Sequence, residues 1–488
     1  MSITKNILSL CFIARRHIRC TANYLSGSSG REGCAINMKF TLMKHTILTL
    51  TTALLLSPLA ALHATDTAQA TKPNIIVILA DDMGFEALGC YGGKTYKQNS
   101  KVLGAVKTPN LDAIAKNGML FKTCFATPVC SPARAELLTG KYNFRVGLHD
   151  ICGRKGAVES LDSQAHPTVA MLLKSAGYVT ASVGKWHLGA PNHSPKVKGE
   201  VPVSAEVDTD YPHVRASGFD RQCMFSGGHL VDYYDESGNY VPNTLHRWAL
   251  RFLESRKGKP EPFFLYYASP IPHLPFIHTP LNSTEGRDGP NCYPDLIEYL
   301  DRQVGEVVKK LSELGMSENT LLLFTADNGG AQGITTVMED GREIRGGKAT
   351  LLDTGSWVPL LASWPGKIKS GSIYDGLVDF TDIMPTCLEI AKVAVPNGID
   401  GISFASQLQG HPGQPRECVH SLYLKEYFVR DSKWKLRENG NLYDVSNSPF
   451  SESLVVPEKV TVEAKSARQR LQGILDRLHP DHSASEKP

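Results

Sequence analysis

Apolar and polar positions along the chain fall into two alternating patterns. Asn74–Ala80 is continuously apolar and rich in β-branched residues, as in a parallel strand buried on both faces. Residues 178–183, 263–268 and 321–326 read as further strands. Helical patterns lie between them. Thr108-Pro109 starts a helix through Leu111, Ile114 and Ala115, which Gly118 stops. Residues 169–176 form a second, ended by Gly177. The clearest helix spans residues 294–314, with apolar positions at Leu296, Leu300, Val304, Val308 and Leu311. This alternation predicts an α/β fold: a large, mostly parallel mixed sheet sandwiched by helices. One long Pro-rich, polar loop spans residues 191–215. After about Gln407 the segments shorten, as at 421–429 and 433–436, and a last helix is predicted over 465–478. That part reads as a small C-terminal α+β subdomain over residues 407–488.

The four predicted strands share a second property: each runs into polar residues. The first leads to Asp81-Asp82, the second to Gly184-Lys185-Trp186-His187, the third to Ser269-Pro270-Ile271-Pro272-His273, and the fourth to Asp327-Asn328-Gly329. In an open α/β sheet, ligands bind beyond the carboxyl ends of the strands. The four ends are therefore expected to converge on one pocket. Asp81, Asp82, Asp327 and Asn328 are all oxygen donors. Three crowded carboxylates repel one another unless a cation sits among them. Oxygen-only ligation suits Ca²⁺ or Mg²⁺ rather than zinc. Helix caps and turns would account for a single such Asp. Two adjacent polar pairs after two apolar strands favour a metal.

The run Val129-Cys130-Ser131-Pro132-Ala133-Arg134 reads C-x-P-x-R and opens a short helical pattern that ends at Thr139-Gly140. A helix N-terminus offers free N–H groups and positive potential to an anion. Further on, Gly346-Gly347-Lys348-Ala349-Thr350 reads G-G-K-x-T. Together with the strand ends, in this order along the chain, these segments resemble the type I, formylglycine-dependent sulfatases of the alkaline phosphatase superfamily. Ala133 departs from the commoner serine of that motif.

The resemblance implies that Cys130 is oxidised to formylglycine (3-oxoalanine) by a formylglycine-generating or anaerobic sulfatase-maturating enzyme. It implies a metal, usually calcium, on Asp81, Asp82, Asp327 and Asn328, with modified Cys130 adding another oxygen. The hydrated aldehyde would attack sulfur through a hydroxyl stabilised by the metal and Arg134. Lys185 and Lys348 would hold the sulfate oxygens, and His273 with Lys348 would assist the leaving alcohol. His187 would help the second hydroxyl to expel sulfate. The substrate would be a sulfated small molecule or glycan, with carbohydrate preferred. Tyr211 to Arg215, Gly228-His229 and Asp232 to Tyr234 are candidates to line its pocket. Two other readings stay open. One is a phosphate mono- or diester or phosphonate hydrolase of the same superfamily. The other is a non-catalytic glycan-binding protein with unconverted Cys130.

Charge changes the picture at the N-terminus. The chain carries a formal +3, but residues 1–64 hold seven Lys and Arg against one acid, Glu32, so the rest carries about −3. A slightly acidic body argues against nucleic acid as a partner. Residues 43–70 read as a secretory signal: Lys44, an apolar core, then small residues. Pro58 breaks that core, which argues against a membrane span. Export to the periplasm or beyond is expected. Residues 1–42 form a leader of doubtful status, and 71–406 the catalytic domain. Eleven cysteines without C-x-x-C spacing form no disulfide framework at this length and no zinc site.

Overall fold

The computed structural model describes residues 72–154, 157–189, 204–225, 233–235, 237–281 and 288–479. The expected leader and signal, most of the 191–215 loop, and Gly228, His229 and Asp232 lie outside them.

Eight strands form the central sheet: β1 Asn74–Ala80, β2 Met119–Phe125, β3 Val179–Lys185, β4 Arg221–Phe225, β5 Phe263–Ala268, β6 Thr320–Ala326, β7 Trp357–Ser363 and β8 Ser372–Asp379. Their order is β8-β2-β7-β6-β1-β5-β3-β4. Only β7 runs against its neighbours; the other pairings are parallel. The four strands expected from apolar runs are the adjacent quartet β6-β1-β5-β3 at the centre. All seven residues of β1 are buried, as a strand covered on both faces requires. Ile75 is in register with Leu321 on one side and Phe264 on the other, so the ends of β6, β1 and β5 finish level.

Two groups of helices flank the sheet. One comprises α1 Pro109–Asn117, α4 Val241–Ser255 and α5 Tyr293–Glu313. The other comprises α2 Cys130–Thr139, α3 Val169–Ser175 and α6 Ile383–Ile390. On α5 the expected apolar face is corrected at one position. Val308 is 37% exposed and Val307 is buried instead. Steps of four residues overrun a 3.6-residue turn, so the stripe 296-300-304 drifts and is completed by Val307 and Leu311.

A four-stranded sheet of Gly93–Gln98, Lys101–Ala105, Thr335–Met338 and Glu343–Arg345 was not expected from the sequence. The C-terminal subdomain is a five-stranded antiparallel sheet with α7 Val462–Leu478 packed on it. Residues 421–429, read as one segment, are two arms of a hairpin, Val419–Tyr423 and Glu426–Arg430. Ala464, Ala467, Leu471 and Leu475 of α7 bury against Val429, Leu436 and Leu442. Among the described residues all eight cysteines are free, and no helix is long and apolar enough to cross a membrane.

Candidate active site

The ends of β1, β3 and β6 and the N-terminus of α2 meet in one buried cluster. Asp81 and Asp82 follow β1; both are fully buried, and Asp82 has a left-handed backbone (φ 66°). That turn presents consecutive carboxylates to the same space. The Asp82 N–H donates to Asp327 Oδ1 at 3.1 Å, and the Asp327 N–H donates to Ala80 O at 3.0 Å, which locks the β1 and β6 ends together. Gly184 permits a close approach of β3 to its neighbour β5: a Cβ there would lie 1.8 Å from Ala268 O. Lys185 follows it, fully buried, and donates to Asp81 Oδ2 at 2.7 Å and Oδ1 at 3.0 Å.

Every residue of α2 is buried, so no amphipathic stripe marks it. Pro132 in its first turn and left-handed Gly140 at its C-cap mark it instead. Cys130, its first residue, places Sγ 3.5 Å from Asp81 Oδ1 and 3.8 Å from Asp82 Oδ1. One turn later, Arg134 donates through Nε and Nη2 to Asp327 Oδ2 (3.0 and 2.7 Å) and through Nη1 to Lys185 O (2.8 Å). Ser131 Oγ donates to His187 O at 2.7 Å and accepts the Cys152 N–H at 3.2 Å. Lys348 Nζ donates to Asp82 Oδ2 at 2.5 Å, and its own N–H is held by Gly330 O. His273 Nε2 lies 3.5 Å from Asp82 Oδ2, and its Nδ1 lies 2.6 Å from Leu274 O.

Electrostatics divides these groups. Burial pushes the Asp81 carboxyl up, but Lys185, His273, Arg134 and Lys348 outweigh it and hold Asp81 well below the usual carboxylate range. Burial is likewise outweighed at Asp82, by His273 and Lys348. Asp327 is pushed up to about 7 by burial and by the Asp81 charge, against the pull of Arg134. Burial lowers His273 despite Asp82, and lowers His187 strongly with help from Lys185 and Arg134. Burial and the Asp327 charge push the Cys130 thiol well above its ordinary range. In these surroundings the Cys130 thiol holds its proton.

Eight of the ten residues singled out from the sequence thus lie at or within one turn of these strand and helix ends, and His273 and Lys348 reach Asp82 from the loops after β5 and after Glu343–Arg345. The ligand atoms of Asp81, Asp82, Cys130 and His273 lie within 4.8 Å of one another. His273 joins this group although the sequence suggested for it only a leaving-group role. Asp327 stands beside the group with both carboxylate oxygens engaged. Asn328 Nδ2 donates to Asp82 Oδ1 at 2.9 Å, while its Oδ1 is buried with no hydrogen-bond partner. An orphaned amide oxygen beside carboxylates fits a hard cation. Of the expected lining residues, Arg215 is exposed and paired with Asp210. Tyr233 is buried and donates to His273 O at 2.8 Å, so it props the His273 loop. The sequence missed the cavity that opens beside Lys348, whose walls come from distant parts of the chain: 149–150, 349–351 and 422–427, with Phe144 and His479. No local motif marks it.

A family model described as Sulfatase matches residues 73–393, and one described as N-sulphoglucosamine sulphohydrolase, C-terminal, matches 347–465. The chain is 32% identical to N-acetylgalactosamine-6-sulfatase of Canis lupus familiaris over 367 residues, 69% of this chain and 66% of that protein. It is 31% identical to human arylsulfatase A over 407 residues, 75% of each. With an N-acetylgalactosamine-6-O-sulfatase of Bacteroides thetaiotaomicron it shares 30% over 444 residues, 75% of this chain and 82% of that one. The fold is shared with Ps i-CgsB, solved in complex with a neocarrahexaose (TM-score 0.65, 24% identity, 82% of this chain and 92% of that one). It is also shared with BT4656, solved with its substrate D-glucosamine-2-N,6-O-disulfate (TM-score 0.61, 21% identity, 85% and 99%).

Proposed function

The chain belongs to the sulfatase family, sulfuric ester hydrolases of the alkaline phosphatase superfamily, and from that premise we propose that it releases sulfate from sulfated carbohydrates through a formylglycine made from Cys130. The observation that carries this reading is the seat of Cys130. It opens α2 within 3.8 Å of Asp81 and Asp82, in a pocket that also holds Arg134, Lys185 and Lys348.

A formylglycine at residue 130 would supply the nucleophilic oxygen, and a bound Ca²⁺ or Mg²⁺ would supply positive charge beside it. Asp81, Asp82 and Asn328 would hold the cation beside residue 130, with Asp327 completing the shell. Arg134 fixes Asp327 and lends positive charge where the nucleophile ionises. Three acids and three bases make the cluster formally neutral, so a divalent cation would give it net positive charge for an anionic ester. Lys185 and Lys348 would turn from the carboxylates to the sulfate oxygens. His273, whose Nε2 lies 3.5 Å from Asp82 Oδ2, would carry a proton to the leaving oxygen. His187 Nδ1, buried without a hydrogen-bond partner, is free to take the proton of the second hydroxyl.

Substrate class rests on the relatives: the N-acetylgalactosamine-6-sulfatases make a 6-sulfated N-acetylgalactosamine the first sugar to assay. Export through the 43–70 segment would bring the enzyme to such polymers. The domain scheme is 71–406 for the catalytic part and 407–488 for the subdomain. The test is Cys130→Ala in protein co-expressed with a maturating enzyme. Sulfate release should fall to background with the melting temperature held, and mass spectrometry of the wild-type peptide should show the aldehyde. Wild-type turnover by the purified variant would refute the assignment.

A further inference from the structure

We propose that Tyr266 is a positioning residue for the reaction, its hydroxyl bracing the Arg134 guanidinium from inside the fold; this rests on the sulfatase reading above. Tyr266 and Tyr267 are neighbours on β5, and successive residues of a strand face opposite sides of the sheet. Both are buried. Their hydroxyls meet different fates.

Tyr267 points toward α4. Its hydroxyl lies 3.3 Å from His246 Nδ1, and His246 Nε2 lies 3.0 Å from Glu306 Oε2 on α5. That chain of polar contacts closes within the fold. Tyr266 points to the α2 side, with the Phe219 ring packed against it, centroids 6.1 Å apart. Its register partners are Val77 on β1 and Ser182 on β3, so it stands between the strands that lead to Asp81 and to Lys185. The hydroxyl is buried beside the Arg134 guanidinium and near Asp327, yet no hydrogen bond of good geometry satisfies it. Burial pushes it up to about 12 despite the pull of Arg134, so it stays a neutral O–H.

Packing alone does not account for that hydroxyl. A buried polar group without a partner costs stability, and a phenylalanine would fill the same ring space without the cost. The neighbouring guanidinium does account for it. Arginine carries five N–H groups. Asp327 Oδ2 takes the one on Nε and one on Nη2, and Lys185 O takes one on Nη1. One N–H on each Nη remains, and Asp81 Oδ1 lies 3.6 Å from Nη2. The phenol oxygen offers lone pairs to the guanidinium from the interior and stops it from sinking away from residue 130. Arg134 thereby keeps its charge where the nucleophile ionises, and a small displacement of such a group is costly.

The experiment uses full-length protein co-expressed with a maturating enzyme. Mass spectrometry measures the formylglycine content, so that turnover is expressed per converted molecule. Tyr266→Phe and Tyr267→Phe are compared with wild type on 4-nitrophenyl sulfate and by thermal melting. Tyr266→Phe should lower kcat about 10–100-fold with KM within about twofold of wild type, the mark of a contact that matters in the transition state. Its melting temperature should stay at or above the wild-type value, because an unpartnered hydroxyl has gone. Tyr267→Phe should do the reverse: a melting temperature lower by roughly 1–3 °C, and kcat within about twofold. The role is overturned if kcat of Tyr266→Phe stays within about twofold of wild type. A loss carried by KM, a fall in the melting temperature of Tyr266→Phe, or equal kcat losses in the two variants would overturn it as well. An inactive, fully converted wild type would instead overturn the sulfatase reading, and this role with it.

Discussion

Two buried charge clusters in this protein invite comparison. One lies at the strand ends: Asp81, Asp82 and Asp327 with Arg134, Lys185 and Lys348. The other joins the C-terminal sheet to the loop before β7: Asp353 and Glu452 with Arg430 and Lys435. Both balance acids with bases. At the junction Lys435 Nζ lies 2.6 Å from Asp353 Oδ1 and 2.7 Å from Glu452 Oε1, donates to Leu351 O, and sits 4.4 Å from the Phe428 ring centroid. Burial pushes Asp353 up, but Lys435 and Arg430 outweigh it and keep it below its ordinary range. At the strand ends, by contrast, Asp327 rises to about 7, and Asn328 Oδ1, His187 Nδ1 and Trp186 Nε1 lack hydrogen-bond partners. Charges buried to hold two layers together find their partners within the fold. Charges gathered at the strand ends keep spare capacity, which a cation and an anionic ester can use.

The largest effects should come from removing a strand-end group. Asp82 gathers both Lys348 and His273, so their loss should act on the same departing oxygen. His273→Ala should lower kcat on a sugar sulfate by about 10²–10⁴-fold, the range for a general acid. An activated aryl sulfate, whose phenolate leaves unaided, should lose far less. Equal losses on the two esters would make His273 a binding residue only.

At the junction the effect should fall on stability. Lys435 is fully buried, and Lys435→Met leaves Asp353 with Arg430 and the Ser448 hydroxyl and Glu452 without its cation. Removing one partner of a buried pair costs roughly 3–5 kcal/mol. Urea unfolding should show that loss, while kcat per folded molecule stays at the wild-type value. A stable variant with reduced kcat would erase the distinction between the clusters.

The contrast also explains what the sequence made legible. Central strands buried on both faces read directly as apolar runs, and their polar ends exposed the site. The strands at one side of the sheet did not: β2 alternates buried and exposed positions unevenly, and the edge strand β8 starts half-exposed. Helix α2 has no polar face, so only Pro132 and Gly140 betrayed it. Asp353, Lys435 and Glu452 look like ordinary surface charges in sequence, because their pairing spans up to about a hundred residues.

Glu86 sharpens the comparison, because it is a buried acid near the strand ends with no ion pair among the described residues. It is 4% exposed, and its Oε2 has no hydrogen-bond partner. The carboxylate fills space left by two glycines: a Cβ on Gly84 would lie 2.1 Å from Oε2, and one on Gly330 2.7 Å from Oε1. Burial pushes its carboxyl from 4.5 up to about 7. Below pH 4.5 the group is protonated folded or unfolded, and ionisation costs nothing. Between pH 4.5 and 7 the unfolded chain releases the proton first, so stability falls as pH rises. Above 7 the full penalty, roughly 3 kcal/mol, remains. Glu86→Gln cannot ionise, so the variant should gain about that much relative to wild type between pH 4.5 and pH 8. Urea titrations of both proteins at the two pH values read the difference directly. A stability difference independent of pH would mean that Glu86 has a partner in solution, and that the strand-end cluster is as closed as the junction.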